Sequence, residues 1–207
     1  GRPPLIWDNY WANDGGDGFL GRILLAPFTG RAADLPGAVA GMVQNPSIQG
    51  ALTRLALATF GAWYGSPGAV APSDARAKAA ATEAAFFVGD AQLEAAGLAS
   101  LVFLMEVFDA KTMDVPRFAA LAEAVDALIG ALGPPTRPTD QVGPLLALLA
   151  RMAAIESELH HGILDADLVD DVTFPARKLR LQGEIGLWAL NVLEERLAGR
   201  DGAEALA

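Results

Sequence analysis

Hydrophobic positions follow two patterns along this chain. Up to residue 46 they come as short runs, Leu5-Ile6-Trp7, Ile23-Leu24-Leu25 and Val39 to Val43. Between them stand Asn13-Asp14-Gly15-Gly16, Pro27-Phe28-Thr29-Gly30 and Asn45-Pro46, and such punctuation predicts buried strands that end in loops. From Ser47 to Trp63 the period changes: Ile48, Leu52, Leu55, Ala56, Thr59 and Trp63 recur at threes and fours, as on one face of a helix. Strand, loop and helix in this order indicate an α/β unit.

The segment 66–73, Ser-Pro-Gly-Ala-Val-Ala-Pro-Ser, reads as a linker, with Ser73 and Asp74 forming a helix start. Alanine- and leucine-rich helices are expected over Asp74–Gly89, Ala91–Phe108, Val115–Leu132, Gln141–His160 and Phe174–Ala198. Their short connections, around Pro116 and Pro134-Pro135, are those of antiparallel helices. The expected organisation is therefore an α/β portion over 1–65, a linker over 66–73 and a helical bundle over 74–207, mostly α overall. No fixed-period repeat is present.

Composition narrows the chemistry. With 207 residues, 52% of them hydrophobic and 19% charged, the chain is large enough for a real core and too apolar for disorder. Four aspartates and four arginines cancel up to Ala71, so the whole formal charge of -10 lies in residues 72–207, a field that disfavours nucleic acid. The absence of cysteine excludes disulfides, thiolate catalysis and cysteine metal sites. The longest apolar window, Leu98 to Met105, is far shorter than the roughly 20 residues a membrane helix needs, so a soluble protein is expected, with the cytoplasm favoured. The opening Gly1-Arg2-Pro3-Pro4 lacks a methionine and a signal-peptide layout, and reads as cut from something longer.

The most informative stretch is Leu5 to Asp14, where an apolar strand leads directly into Asp8, Asn9, Tyr10, Trp11, Asn13 and Asp14. Polar groups crowded after a buried strand usually face a ligand. A second strand, Gly37 to Gln44, ends likewise in Asn45, and in a parallel barrel both ends open on one rim, where Asn9, Asp14 and Asn45 would converge. A carboxylate, amides and the apolar walls of Trp7, Tyr10 or Trp11 suit a sugar. The plainer reading is that Asn9 and Asn13 hold turns, an aspartate caps a helix and the tryptophans are core.

Three motifs decide between these. Trp7-Asp8-Asn9-Tyr10 with Asn13-Asp14, then Leu24 to Arg31 (Leu-Leu-Ala-Pro-Phe-Thr-Gly-Arg), then Gly41 to Pro46 (Gly-Met-Val-Gln-Asn-Pro), resemble glycoside hydrolase family 84, the O-GlcNAcases and related β-N-acetylglucosaminidases. The resemblance covers roughly Pro4 to Tyr64. It implies the last strands and helix of a (β/α)8 barrel followed by a helical domain. It further implies that Trp7 lines the acetamido pocket, that Asn9 and Asn45 bind sugar hydroxyls or the substituent, and that Asp14 holds hydroxyls at the far end of the ring. Asp8, Tyr10 and Asn13 would support them.

The family hydrolyses with retention by substrate assistance, an exception to the two-carboxylate rule, using an adjacent aspartate pair that precedes the Trp-Asp-Asn motif. Only six residues precede Trp7, so the resemblance implies no catalytic residue in this chain, which alone would be inactive. The expected partners are an N-acetylglucosamine-containing substrate, such as an O-GlcNAc protein, and the N-terminal portion of the barrel; no cofactor is implied. The alternatives are a noncatalytic sugar-binding remnant and a helical protein-interaction module.

Other clusters in the helical half read as structural. Asp170-Asp171, in the wrong order for the catalytic pair, reads as a solvated loop or helix cap, and Asp165, Asp167, Asp170 and Asp171 as a charged connection without the glycine and glutamate of a calcium loop. Glu158 and His161, with Glu156 and His160, have di-iron spacing but no second such pair, so no metal is expected. The last helix is apolar over a broad arc, Leu179, Leu181, Ile185, Trp188, Leu190, Val192, Leu193 and Leu197, which reads as core; were it exposed, it would serve a homodimer.

Overall fold

The computed structural model describes residues 1–16, 22–66, 71–84, 89–110, 118–131 and 139–198. The elements are β1 (Leu5–Asp8), α1 (Leu35–Ala38), β2 (Gly41–Gln44), α2 (Gly50–Gly65), α3 (Pro72–Ala81), α4 (Ala91–Val107), α5 (Ala119–Ala131), α6 (Thr139–Gly162) and α7 (Ala166–Leu197). The described chain is mostly helical. It divides into two compact units, Gly1–Arg117 with Glu158–Thr173, and Phe118–Ser157 with Phe174–Ala207. Among the described residues, no helix is long and apolar enough to cross a membrane.

In the first unit β1 and β2 pair in parallel, with Leu5 opposite Gly41 and Asp8 opposite Gln44. The two expected strands are thus present, the second only over Gly41–Gln44 because Gly37 and Ala38 belong to α1, but they are not buried: Leu5 and Trp7 are 67% and 66% exposed, and Val43 is exposed too. The third expected strand, Ile23-Leu24-Leu25, is irregular backbone instead. It is buried because the Leu25 N–H donates to the Phe108 carbonyl (2.9 Å) and the Ala26 N–H to the Ala110 carbonyl (3.2 Å), behind α4. An apolar run reports burial, and here burial comes without a ladder partner. Leu24 is thus buried, while Val43, on the paired strand β2, is exposed.

Helix α2 carries the predicted stripe: Leu52, Leu55, Ala56, Thr59 and Trp63 are buried, and Ile48, which precedes the helix, is exposed. Its inner face meets an aromatic nest of Tyr10, Trp11, Phe28 and Trp63, with ring centroids 4.8 Å apart for Tyr10–Trp11, Tyr10–Phe28 and Phe28–Trp63. Edge and tilted contacts of this kind add to the burial of large rings. Thr59 links nest and helix, donating to the Ala56 carbonyl (2.7 Å) while accepting from the Phe28 N–H (3.0 Å).

The acidic residues lie in a helix and an ion-pair network rather than in a solvated loop, and of the two readings of Asp170-Asp171 the helix cap is the one observed, at Asp171. Asp170 and Asp171 lie inside α7, which begins at Ala166 rather than Phe174 because Asp165 caps it, accepting from the Leu168 N–H (2.8 Å). Asp171 caps another helix: its Oδ2 accepts from the N–H groups of Ala51 (2.7 Å) and Leu52 (3.1 Å), two of the unpaired donors at the start of α2. Such a cap contributes about 1 kcal/mol. Arg54 then bridges the buried Glu83 (3.0 Å) and Asp165 (3.2 Å), so the charged connection is an ion-pair network.

The residues with di-iron spacing serve helix packing. In the first unit Ser100 donates to Glu158, and His160 Nε2 meets Thr173 Oγ1 at 3.0 Å. In the second unit Glu156 accepts from Arg180 (2.6 Å) and Arg177 (2.9 Å). Here α7 lies close on α6 at Gly183, where an added Cβ would stand 2.6 Å from the Ala153 nitrogen and the Leu149 oxygen. The tips expected at Pro116 and Pro134-Pro135 lie outside the described residues.

Two carboxyls here titrate below their ordinary values. The Arg180 hydrogen bond, with help from Arg177, lowers that of Glu156, and the Leu168 N–H, with Arg54, lowers that of Asp165. Depressed folded-state values mean stability that is complete above the unfolded values, 4.5 for Glu156 and 3.8 for Asp165, and lost as pH falls through them toward the folded ones. Urea midpoints measured against pH are expected to fall below about pH 4.5 and to do so less in Glu156→Gln. An identical acid dependence in that variant would contradict the assignment.

Candidate functional site

The site is at the C-terminal ends of the paired strands. The ladder continues one step past the sheet, since the Asn45 N–H donates to the Asp8 carbonyl (2.8 Å), and this sets Asn45 beside Asn9. Asn45 Nδ2 donates to Asn9 Oδ1 (3.1 Å), and Trp7 Nε1 donates to the same oxygen (2.8 Å). Two donors on one atom fix which end of the Asn9 amide is oxygen. Three of the predicted sugar-binding residues are thereby joined in one network, with the Trp7 indole exposed beside it.

The residues behind this network are buried and paired. Asp8 holds Arg31 with both carboxylate oxygens, Oδ1 to Nη2 at 3.0 Å and Oδ2 to Nε at 3.2 Å, a fork geometry that occupies the carboxylate. The Arg31 guanidinium also lies 5.5 Å from the Tyr10 ring centroid and 5.7 Å from that of Phe28, within cation–π range. Tyr10 donates its hydroxyl proton to the Pro27 carbonyl (2.8 Å) and accepts from the Thr29 N–H (3.1 Å). Gly30, at φ +75°, then reverses the chain so that Arg31 reaches back to Asp8.

Asn13 is fully buried and ties two loops together. Its Nδ2 donates to the Arg22 carbonyl and to Gln49 Oε1, both at 2.7 Å, and its Oδ1 accepts from the Ile48 N–H (2.8 Å). It therefore anchors the backbone that carries Asp14, which is exposed on the surface next to it. The network of Trp7, Asn9 and Asn45 does not include Asp14. Sequence reading assigned no role to Arg31 or Gln49. A signal for Arg31 was available, since a buried carboxylate such as Asp8 demands a cation and only four arginines precede residue 71.

Chemically the rim offers amide donors and acceptors, an exposed indole and a surface carboxylate, the set that recognises a polyhydroxylated ring. Among the described residues, no group of three or more histidine, aspartate or glutamate side chains is placed to hold a metal ion. A separate cleft of about 420 Å³ in the first unit is lined by Gly50, Ala51, Arg54, Asp167, Asp170 and Asp171. Asp171 and Arg54 there are engaged in the α2 cap and the ion-pair network, which makes this region a helix junction.

Comparison with known proteins bears on the same region. Residues 1–99 match the family described as NAGidase, beta-N-acetylglucosaminidase. Protein O-GlcNAcase of Rattus norvegicus and that of Mus musculus are each 35% identical to this chain over 65 residues, 31% of this chain and 7% of theirs. Among solved structures, CpGH84B superposes with a TM-score of 0.78 at 15% identity, over 96% of this chain and 33% of its own. A mutant O-GlcNAc hydrolase of Thermobaculum terrenum superposes with a TM-score of 0.77 at 20% identity, over 99% of this chain and 40% of its own. The chain thus shares their fold while spanning less than half the length of these proteins.

Proposed function

From the match of residues 1–99 to the β-N-acetylglucosaminidase family, we propose that this chain is part of a retaining O-GlcNAc hydrolase. In this reading residues 1–65 are the C-terminal portion of a (β/α)8 barrel, 66–73 a linker and 74–207 a helical domain. The parallel pairing of β1 and β2 and the α2 that follows support it. So does the exposed apolar face at Leu5, Trp7 and Val43, which further strands would cover. The observation that carries the proposal is the hydrogen-bonded set Trp7, Asn9 and Asn45 at the strand ends.

The proposed roles are those that the family resemblance implies. Trp7 lines the acetamido pocket, Asn9 and Asn45 bind hydroxyls or the substituent, and Asp14 accepts from hydroxyls at the far end of the ring. Asp8, Tyr10 and Asn13 support them through Arg31, Thr29 and Gln49. The sugar's own acetamido oxygen attacks the anomeric carbon, and an aspartate pair in an N-terminal barrel portion orients it and moves the proton. No catalytic group is assigned to this chain, so turnover is proposed only when that portion is present.

The test is a calorimetric titration with an N-acetylglucosamine analogue. Asp14 is exposed, so Asp14→Ala is expected to fold normally, within about 0.5 kcal/mol. It removes hydrogen bonds to a charged acceptor, and affinity is expected to fall about ten- to a hundredfold. Unchanged affinity would reject the assignment. A fluorogenic N-acetyl-β-glucosaminide then separates a hydrolase from a noncatalytic remnant: the remnant would bind the analogue but release no fluorophore even with an N-terminal barrel portion supplied.

A further inference from the structure

We propose that Asp171, at the start of α7, is a positioning residue for the loop that carries Asp14, an inference that rests on the sugar-binding role given to Asp14 above. The connection lies within the first unit and begins at α2. This helix has no acidic residue in its first turn, and Gln49, which stands just before it, makes no side-chain cap bond to it. Asp171 supplies the missing acceptor, its Oδ2 taking the N–H groups of Ala51 (2.7 Å) and Leu52 (3.1 Å). The same end of α7 is tied to α2 once more, by Arg54 on Asp165 (3.2 Å).

The Gln49 side chain is used elsewhere, and that use leads to the rim. Its Oε1 accepts from Asn13 Nδ2 (2.7 Å), while the Ile48 N–H donates to Asn13 Oδ1 (2.8 Å). Both ends of the Asn13 amide are therefore held by the two residues that precede α2. Asn13 is wholly inaccessible, so water cannot replace these partners, and Asp14 follows it by one peptide bond. Thr53 closes the corner, donating to the Gln49 carbonyl (2.8 Å) with its hydroxyl 2.8 Å from that of Ser47. Removing the Asp171 carboxylate leaves two N–H donors unpaired and loosens the first turn of α2. Ile48 and Gln49 then hold Asn13 less firmly, and the fraction of molecules with Asp14 in place falls, which weakens binding by the same factor.

Amide hydrogen exchange and calorimetric titration with the N-acetylglucosamine analogue, both on the 207-residue chain, are the test. In Asp171→Ala the Ile48 amide is expected to exchange about tenfold faster, while the Leu25 amide, bonded to the Phe108 carbonyl, keeps its rate. The analogue is expected to bind about three- to tenfold more weakly. Asp171→Asn, which keeps an acceptor oxygen, is expected to restore both readings. Asp170→Ala, which removes the exposed neighbouring carboxylate, is expected to change neither. An unchanged Ile48 rate in Asp171→Ala would overturn the proposal, as would an equal rise at Ile48 and Leu25, the mark of a general loss of stability. An equal loss of affinity in Asp170→Ala would also overturn it, since the charge of the cleft and not the cap would then be at work. Asp14→Ala keeps the two readings apart: parental affinity there rejects the sugar role of Asp14 and this proposal with it, whereas a loss there with none in Asp171→Ala rejects this proposal alone.

Discussion

Trp11→Ala is expected to destabilise the chain by about 3–5 kcal/mol, the range for truncating a fully buried large aromatic. Trp11 is wholly inaccessible, packs edge-on to Tyr10 and tilted against Phe28, and donates from Nε1 to the Ala26 carbonyl at 2.9 Å. Truncation leaves a cavity at the centre of the nest and a buried carbonyl without its donor. Against the 5–15 kcal/mol that holds a typical domain together, the loss is a large fraction. Urea unfolding followed by near-ultraviolet dichroism measures it, and Trp11→Phe, which keeps most of the ring volume, is expected to lose less. Equal midpoints for Trp11→Ala and the parent would show that the nest does not hold the loops that carry Asn9 and Asp14.

The second large effect has opposite signs in local and tertiary terms. Alanine is better than glycine inside a helix by about 1 kcal/mol, so helix propensity alone expects Gly183→Ala to stabilise α7. In the structure the new methyl would stand 2.6 Å from backbone atoms of Leu149 and Ala153, and backbone in a packed helix cannot yield cheaply. Gly183→Ala is therefore expected to destabilise by about 1–3 kcal/mol. Gly61, in α2, has nothing within 4 Å of an added Cβ, and Gly61→Ala is expected to show the propensity gain instead. Thermal midpoints of the two variants should move in opposite directions; a rise in both would mean that α6 and α7 do not approach closely at Gly183.

The motifs from Pro4 to Tyr64 were legible in the sequence and carried the family likeness, because they are short, ordered and chemically unusual. Most helices of the later half were legible to within a few residues, as at Ala91–Val107, but the one expected over Asp74–Gly89 is α3, which ends at Ala81. The start of α7 was misplaced by eight residues because Pro175, a residue that often opens a helix, lies inside this one. The apolar run at Ile23-Leu24-Leu25 was read as a strand, since burial and strand formation leave the same mark on three residues.

The candidate site was legible as a set of residue types and illegible as a set of bonds. Asp8, Asn9, Tyr10, Asn13 and Asn45 stood out by chemistry and position. That Asp8 is locked by Arg31, 23 residues on, while Asn9 and Asn45 share a hydrogen bond across 36 residues, depends on the parallel register of β1 and β2.

By itself, then, the sequence determined the elements whose signals are local: helical period, capping residues, turn glycines and a strand that runs into a polar cluster. Those signals act over a few residues through backbone sterics and neighbouring side chains, so no knowledge of the fold is needed to read them. Only the tertiary structure decided which partner each polar group takes and which face of each helix is covered. Asp171 caps a helix 120 residues earlier, and α7 buries Gly183 while exposing Ile185. Those outcomes rest on distances between segments remote in the chain, and desolvation, packing volume and charge pairing act only once the fold has set them.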